Sequence, residues 1–140
     1  MPTELIVHAV HQGGMRIRAS AGDHEVQMDY PLTTGPLTGF TPLQLLLASL
    51  AGCAGNTLAL LLQRMNQPVQ GIEVTVRASR RDEHPTVLTS ITQDFVVRGS
   101  GVDPEAVTRA LEQAEKHLCP VWAMLRPGTP IRASVRVESG

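Results

Sequence analysis

Aromatic side chains are nearly absent. Tyr30, Phe40, Phe95 and Trp122 are the only four among 140 residues, 3 % of the chain. So few rings leave no platform on which bases could stack. An excess of one charge is missing too, with 12 Lys and Arg against 13 Asp and Glu and a formal net charge of −1. A nucleic-acid binder would ordinarily be strongly basic, so no nucleic-acid partner is expected. Cysteine occurs only twice, as Cys53 and Cys119. Those two and the five histidines show no paired spacing of the zinc type, so neither a metal nor another cofactor is expected. The opening residues MPTELIVHAV lack a basic start and contain Glu4, so no secretory signal is read. Two cysteines without an export signal point to a reducing, cytoplasmic setting in which permanent disulfides are rare.

What the chain does have is aliphatic bulk. Hydrophobic residues make up 42 %, enough to argue against disorder. The length fits a single domain over residues 1–140, which at this size buries roughly two-thirds of its unfolded surface. The core must be built from Leu, Val, Ile, Met and Ala.

Short apolar or alternating runs predict strands at 3–9, 15–20 and 24–30, a three-stranded meander punctuated by Gly13-Gly14 and Gly22-Asp23. A loop rich in Gly, Pro and Thr covers 31–41. Thr41-Pro42 is a helix start, with Thr as N-cap and Pro in the first position. The helix is expected to reach Met65, with Asn66 and Pro68 as its stop. Its apolar stretch, Pro42 to Leu62, is long enough to resemble a membrane span. Gln44, Ser49, Asn56 and Thr57 interrupt that stretch, which reads better as a central helix in a protein outside the membrane. Being apolar nearly all round, it should be buried on most sides, with a partner subunit supplying part of the cover. Strands follow at 71–79 and 86–98. A second helix opens at Asp103-Pro104, with an apolar stripe of Val107, Ala110, Leu111, Ala114 and Leu118. Cys119-Pro120 interrupts it, a short turn VWAMLR follows, and the last strand is IRASVRVE. The order βββ-α-ββ-α-β predicts an α+β fold with an antiparallel sheet around the long helix.

The two thiols sit in different settings. Cys53 lies mid-helix in Ala51-Gly52-Cys53-Ala54-Gly55. Glycine costs a helix interior about 1 kcal/mol relative to Ala, so another element or a ligand should approach the backbone here. Cys119 precedes a proline that opens the next helical turn. An N-cap position there would place exposed amides and the helix dipole beside the sulfur and favour a thiolate.

These residues resemble a known family. TPLQLLLASLAGCAGNTLALLLQRM is similar to the first-cysteine helix of the OsmC/Ohr family, and LCPVWAMLR to its second-cysteine motif. The resemblance covers essentially the whole chain. It implies an OsmC-like fold, an intertwined homodimer and a thiol peroxidase acting on organic hydroperoxides in oxidative stress defence. By that analogy Cys53 is the peroxidatic thiol and Cys119 the resolving thiol, with a dithiol reductant, in some members a lipoylated protein, resetting the pair. The family also uses an arginine from the N-terminal strands, for which Arg16 and Arg18 are the candidates. Phe40, Leu43, Leu50 and Trp122 are the candidate substrate-binding side chains. Where catalytic members carry a Glu after the helix-opening proline, this chain has Leu43. That departure keeps two alternatives open: a non-catalytic OsmC-like dimer that binds an apolar small molecule, and a redox-sensing stress protein.

Overall fold

The computed structural model describes residues 3–32 and 35–140. The chain divides into two compact units, Met1–Leu46 and Leu47–Gly140.

In the first unit, β1 (His8–His11), β2 (Ile17–Ala21) and β3 (His24–Met28) form an antiparallel sheet in the order β1-β2-β3. The alternation read in MRIRAS puts Ala19 on the covered face, opposite Ala9 and Val26, where it is 6 % exposed. Gly22 and Asp23 make a two-residue hairpin turn, and Gly22 carries the positive φ of 61° that such a turn requires. The first strand starts later than the apolar run at 3–9 implies. Its register pairs His8 with Ser20, which puts Val7 level with Ala21 at the end of β2 and carries Leu5 and Ile6 past it, and Leu5, Ile6 and Val7 are left exposed.

The segment after β3 is tied down by one carboxylate. Asp29 accepts from the amides of Tyr30 (2.8 Å) and Thr38 (3.0 Å) and from the Thr38 hydroxyl (3.0 Å). Its own amide donates to the Phe40 carbonyl at 3.0 Å. Gly39 is required in this turn, since a Cβ there would lie 2.2 Å from the Gln27 carbonyl oxygen. Thr33 and Thr34, inside the loop read at 31–41, lie outside the described residues.

The long helix α1 (Pro42–Arg64) is closed at both ends by its own sequence. Thr41 Oγ1 accepts from the Gln44 amide (3.2 Å) while Gln44 Oε1 accepts from the Thr41 amide (3.0 Å), a reciprocal capping box. At the far end Asn66 takes a left-handed φ of 56°. Its amide donates to the Gln63 carbonyl and that of Gln67 to the Leu62 carbonyl, the Schellman arrangement. By length and composition α1 would also pass for a membrane-crossing helix. In the second unit it presents one stripe, Leu50, Ala54, Leu58 and Leu62, to the protein core. The expectation of a helix buried on most sides is therefore corrected for the single chain. The core of the second unit covers that stripe, and Gly52, Asn56, Ala59 and Leu60 are exposed.

That sheet comprises β4 (Gly71–Arg80), β5 (Leu88–Arg98) and β6 (Ile131–Glu138) in the order β4-β5-β6. β4 and β5 are antiparallel, as expected, whereas β5 and β6 are parallel. The physical reason is the connection: residues 99–130 carry helices and return the chain to the starting end of β5, which a hairpin would not do. Ile72, Val97 and Val137 form one core-facing row across the sheet, and Val74, Phe95 and Val135 the next. The connection contains α2 (Pro104–Gln113), a π-helical turn (Ala114–Leu118) and α3 (Pro120–Leu125). Asp103 caps α2, accepting from the Glu105 amide at 3.0 Å, with Pro104 behind it as the sequence predicts. The mixed α+β architecture stands, with two small sheets rather than one.

Two predictions follow from these details. Asp29 is 8 % exposed. The amides of Thr38 and Tyr30 hold its carboxyl below the usual carboxylate range against the upward pull of burial, and the Arg16 charge adds slightly. A depressed folded-state pKa contributes stability above the unfolded value of about 3.9, and that stability is lost as the pH falls through the folded value. Asp29→Asn is therefore expected to lower stability near neutral pH and to flatten the acid limb below about pH 4, read from urea unfolding across pH. The second concerns Gln93, which lies between Val76 and Ala133 on the core-facing side of β5. It is fully buried, and its amide nitrogen and oxygen have no hydrogen-bond partner among the described residues. Gln93→Leu, of similar volume, is expected to stabilise the protein by about 1 kcal/mol in denaturant unfolding. A loss of stability would show that the amide is in use.

Candidate active site

Cys53 and Cys119 are brought together. Cys53 lies on α1 immediately before the buried Ala54, and its own side chain is half-buried. Cys119 is the N-cap of α3, with extended backbone (φ −81°, ψ 107°) and Pro120 in the first helical position. The two Sγ atoms are 3.1 Å apart, Cys119 donating and Cys53 accepting, and both cysteines are free. A disulfide needs about 2.05 Å, so a closure of roughly 1 Å separates the dithiol from the bond.

The π-turn decides which side chain occupies this place. Ala114 is fully buried. In an α-helix the next residue on that stripe would be Leu118, as the sequence pattern predicts. Here the Cys119 amide donates to the Ala114 carbonyl at 2.9 Å, five residues back. The wider turn makes Cys119 the buried successor at 1 % exposure and turns Leu118 out to 49 %. Leu118 therefore leaves the predicted stripe, and a thiol takes its place in the core.

Burial also overturns the expected ionisation of Cys119. The α3 amides of Trp122 and Val121 do favour the thiolate, as an N-cap position should. Desolvation outweighs them, and together with the hydrogen bond to Cys53 it pushes the Cys119 thiol up to about 11. At neutral pH Cys119 is an S–H donor aimed at Cys53.

Leu50 and Trp122 belong to the same core cluster as Cys119, and both are fully buried. Neither presents surface to a ligand in this state, and the Trp122 indole N–H has no partner among the described residues. Of the glycines beside Cys53, only Gly55 is closely approached, a Cβ there falling 3.3 Å from Val74 Cγ2. Around Gly52 there is open space within the chain.

The other candidates belong to the first unit. Arg18 lies on β2 and reaches Glu25 at 3.8 Å. Arg16 precedes β2, in the turn after Gly13. Its amide donates to the Gly13 carbonyl at 3.1 Å and its guanidinium to the Gln12 carbonyl at 3.5 Å, with the side chain otherwise exposed. The two arginines thus differ: Arg18 has a carboxylate partner and Arg16 has backbone contacts. Phe40 is half-exposed and bridges to Met28, and Leu43 is half-buried in the first turn of α1. Gln44, the polar residue next to Leu43, is committed to the capping box. Among the described residues no three His, Cys, Asp or Glu side chains gather as metal ligands.

Sequence reasoning missed the π-turn and, with it, the role of the residues that hold it. The one local signal was Pro120, which cannot supply the amide that would continue the helical ladder.

Comparisons with known proteins bear on the family and the fold. The family model described as OsmC-like protein matches residues 34–134, and the chain belongs to that family. Protein YhfA of Escherichia coli K12 is 30 % identical over 118 residues, spanning 84 % of this chain and 86 % of the relative. The crystal structure of a hypothetical protein from Aquifex aeolicus VF5 superposes with a TM-score of 0.89 at 23 % identity, covering 99 % of both chains. An organic hydroperoxide resistance protein from Elizabethkingia anophelis superposes with a TM-score of 0.75 at 19 % identity, covering 99 % of this chain and 100 % of that one.

The ionisation of Cys119 is open to direct test. Alkylation of Cys119 in the Cys53→Ser protein, followed by mass spectrometry across pH, is expected to remain slow at pH 7 and to rise only above about pH 9. Rapid modification at neutral pH would contradict a buried, protonated thiol.

Proposed function

We propose that this protein is a thiol-dependent peroxidase that reduces organic hydroperoxides in oxidative stress defence. The observation that carries this reading is the 3.1 Å contact between a half-buried Cys53 and a fully buried Cys119. Three steps complete the cycle. The Cys53 thiolate attacks the terminal oxygen of the hydroperoxide and the O–O bond breaks. The alkoxide leaves and takes a proton to become the alcohol, and Cys53 becomes a sulfenic acid. The Cys119 sulfur then displaces the sulfenic oxygen, which leaves as water with the Cys119 proton, and the disulfide forms. An external dithiol, for which a lipoylated protein is a candidate, reduces that disulfide by two exchange steps and is itself oxidised.

The division of roles follows from exposure. Cys53 retains accessible surface and can meet a substrate, whereas Cys119 is 1 % exposed and meets Cys53. A high pKa suits Cys119 to carry a proton until the sulfenic acid forms. On this reading Arg16, rather than the Glu25-paired Arg18, is the arginine that supports charge at the peroxidatic sulfur. The natural assembly on this reading is a homodimer in a reducing cytoplasm. The exposed flank of α1 supports that assembly: a groove of about 340 Å³ runs along Gly52, Gly55, Asn56 and Ala59 against β4.

A second reading, a dimer that binds an apolar small molecule without turnover, is favoured by a separate observation. Leu43 stands where catalytic members of the family carry Glu, and a groove of about 340 Å³ on the first sheet is lined by Ala19, Val26, Met28 and Leu45. A redox sensor, whose disulfide would alter partner binding, shares the thiol pair but predicts no sustained turnover.

The readings separate in one assay. With cumene hydroperoxide and a dithiol reductant, the wild type is expected to consume peroxide continuously and Cys53→Ser to fall to background. Cys119→Ser is expected to stall as a sulfenic acid on Cys53 that dimedone traps. Equal consumption by wild type and Cys53→Ser would sink the peroxidase reading. A single stoichiometric turnover in the wild type would favour the sensor.

A further inference from the structure

The π-turn that delivers Cys119 to Cys53 leaves one backbone carbonyl without its regular donor. In this register each carbonyl accepts from the amide five residues on, as Ala114 does from Cys119 at 2.9 Å. The next carbonyl, that of Glu115, would need the amide of residue 120, and Pro120 has no N–H. The guanidinium of Arg126 fills that position, its Nη1 donating to the Glu115 carbonyl at 3.0 Å. The backbone of Arg126 is itself fixed, because its amide donates to the Trp122 carbonyl at 2.9 Å at the end of α3. Residues 115–126 are thus closed into a clip, and Cys119 sits inside it.

The competing arrangement is an α-helical turn. There the Cys119 amide would bond to the Glu115 carbonyl, four residues back, so that carbonyl would need no side-chain donor, and the carbonyl facing Pro120 would be that of Lys116. The two registers differ by the transfer of one amide hydrogen bond between adjacent carbonyls. They differ greatly in consequence, since the α-register would bring Leu118 onto the buried stripe after Ala114 and turn Cys119 away from Cys53. We propose that Arg126 is a positioning residue for the thiol pair: by occupying the Glu115 carbonyl it holds the π-register, and with it keeps Cys119 Sγ in reach of Cys53. The proposal rests on reading the two thiols as a redox pair. It requires no contact between Arg126 and either sulfur.

The test is a thiol–disulfide equilibrium that involves no hydroperoxide. The full chain, as wild type, Arg126→Met and Arg126→Lys, is equilibrated with mixtures of oxidised and reduced dithiothreitol. Two protein thiols lose two protons and two electrons to form one S–S bond, while the S–S bond of the reagent is broken and reduced. The Arg126–Glu115 bond is solvent-exposed and competes with water, so the expected effect is moderate. Arg126→Met should lower the equilibrium constant for the protein disulfide by about threefold to tenfold, with the reduced protein unfolding at the wild-type temperature. Arg126→Lys, which keeps a donor on a long stem, should recover most of the loss. The scalar coupling across the Cys119–Ala114 hydrogen bond should weaken in the Met variant and persist in the Lys variant. An unchanged equilibrium constant would overturn the proposal, as would a Met variant that fails to fold, since Arg126 would then be a general structural clasp. A wild type that forms the disulfide with dithiothreitol but consumes no hydroperoxide would sink the peroxidase reading and support the positioning role if the variants still differ. A wild type that forms no disulfide would overturn both.

Discussion

A sulfur–sulfur hydrogen bond between residues 66 apart is the constraint around which the second unit is organised. One partner rides on a long helix whose buried stripe is seated on a sheet. The other caps a short helix in the connection between two strands of that same sheet. The donor is fully buried and protonated, the acceptor half-buried, so the contact has a direction. That direction makes the two cysteines chemically distinct although the side chains are identical. Desolvation achieves this against the pull of a helix N-terminus, because removing a thiolate from water costs more than two backbone amides return.

Much of this was legible in the sequence, and the parts that were not share physical causes. The caps were readable because they depend on adjacent residues: Thr41-Pro42, Asp103-Pro104 and Asn66 each act where they stand. The last strand, Ile131–Glu138, was readable because its alternation is unbroken. The direction of its pairing was not, since alternation reports which face is buried and says nothing about which neighbour runs alongside. The π-turn escaped because Leu118 satisfies a helical period as well as Cys119 satisfies a wider one, and the side-chain donor that meets the Glu115 carbonyl lies 11 residues on, at Arg126. The thiol pair was recognisable by motif. The ionisation of Cys119 was not, because local sequence shows the helix dipole and hides the burial.

The first turn of α1 illustrates how one residue's local duty limits another's role. Gln44 reaches back to the Thr41 amide to close the capping box, so it is not available to orient an arginine in place of a carboxylate. Leu43, one position earlier, has no polar group at all. The helix start is thus well made as a helix start, and its first turn carries no carboxylate. The apolarity of α1 has a similar double reading, since a stripe of four buried residues uses only part of an apolar surface.

The parallel pairing of β5 and β6 has a consequence for the order in which the molecule can be assembled. β4 and β5 are neighbours in sequence and can zip as a hairpin, but β6 can add to β5 only after residues 99–130 have folded back across the sheet. Closing so long a connection is entropically slow compared with a hairpin. Cys119 travels within that connection, so the two sulfurs meet only once residues 99–130 have begun to fold back onto the second unit. A nascent or partly folded chain has two distant thiols, and the sulfur–sulfur contact comes into being together with the folded connection.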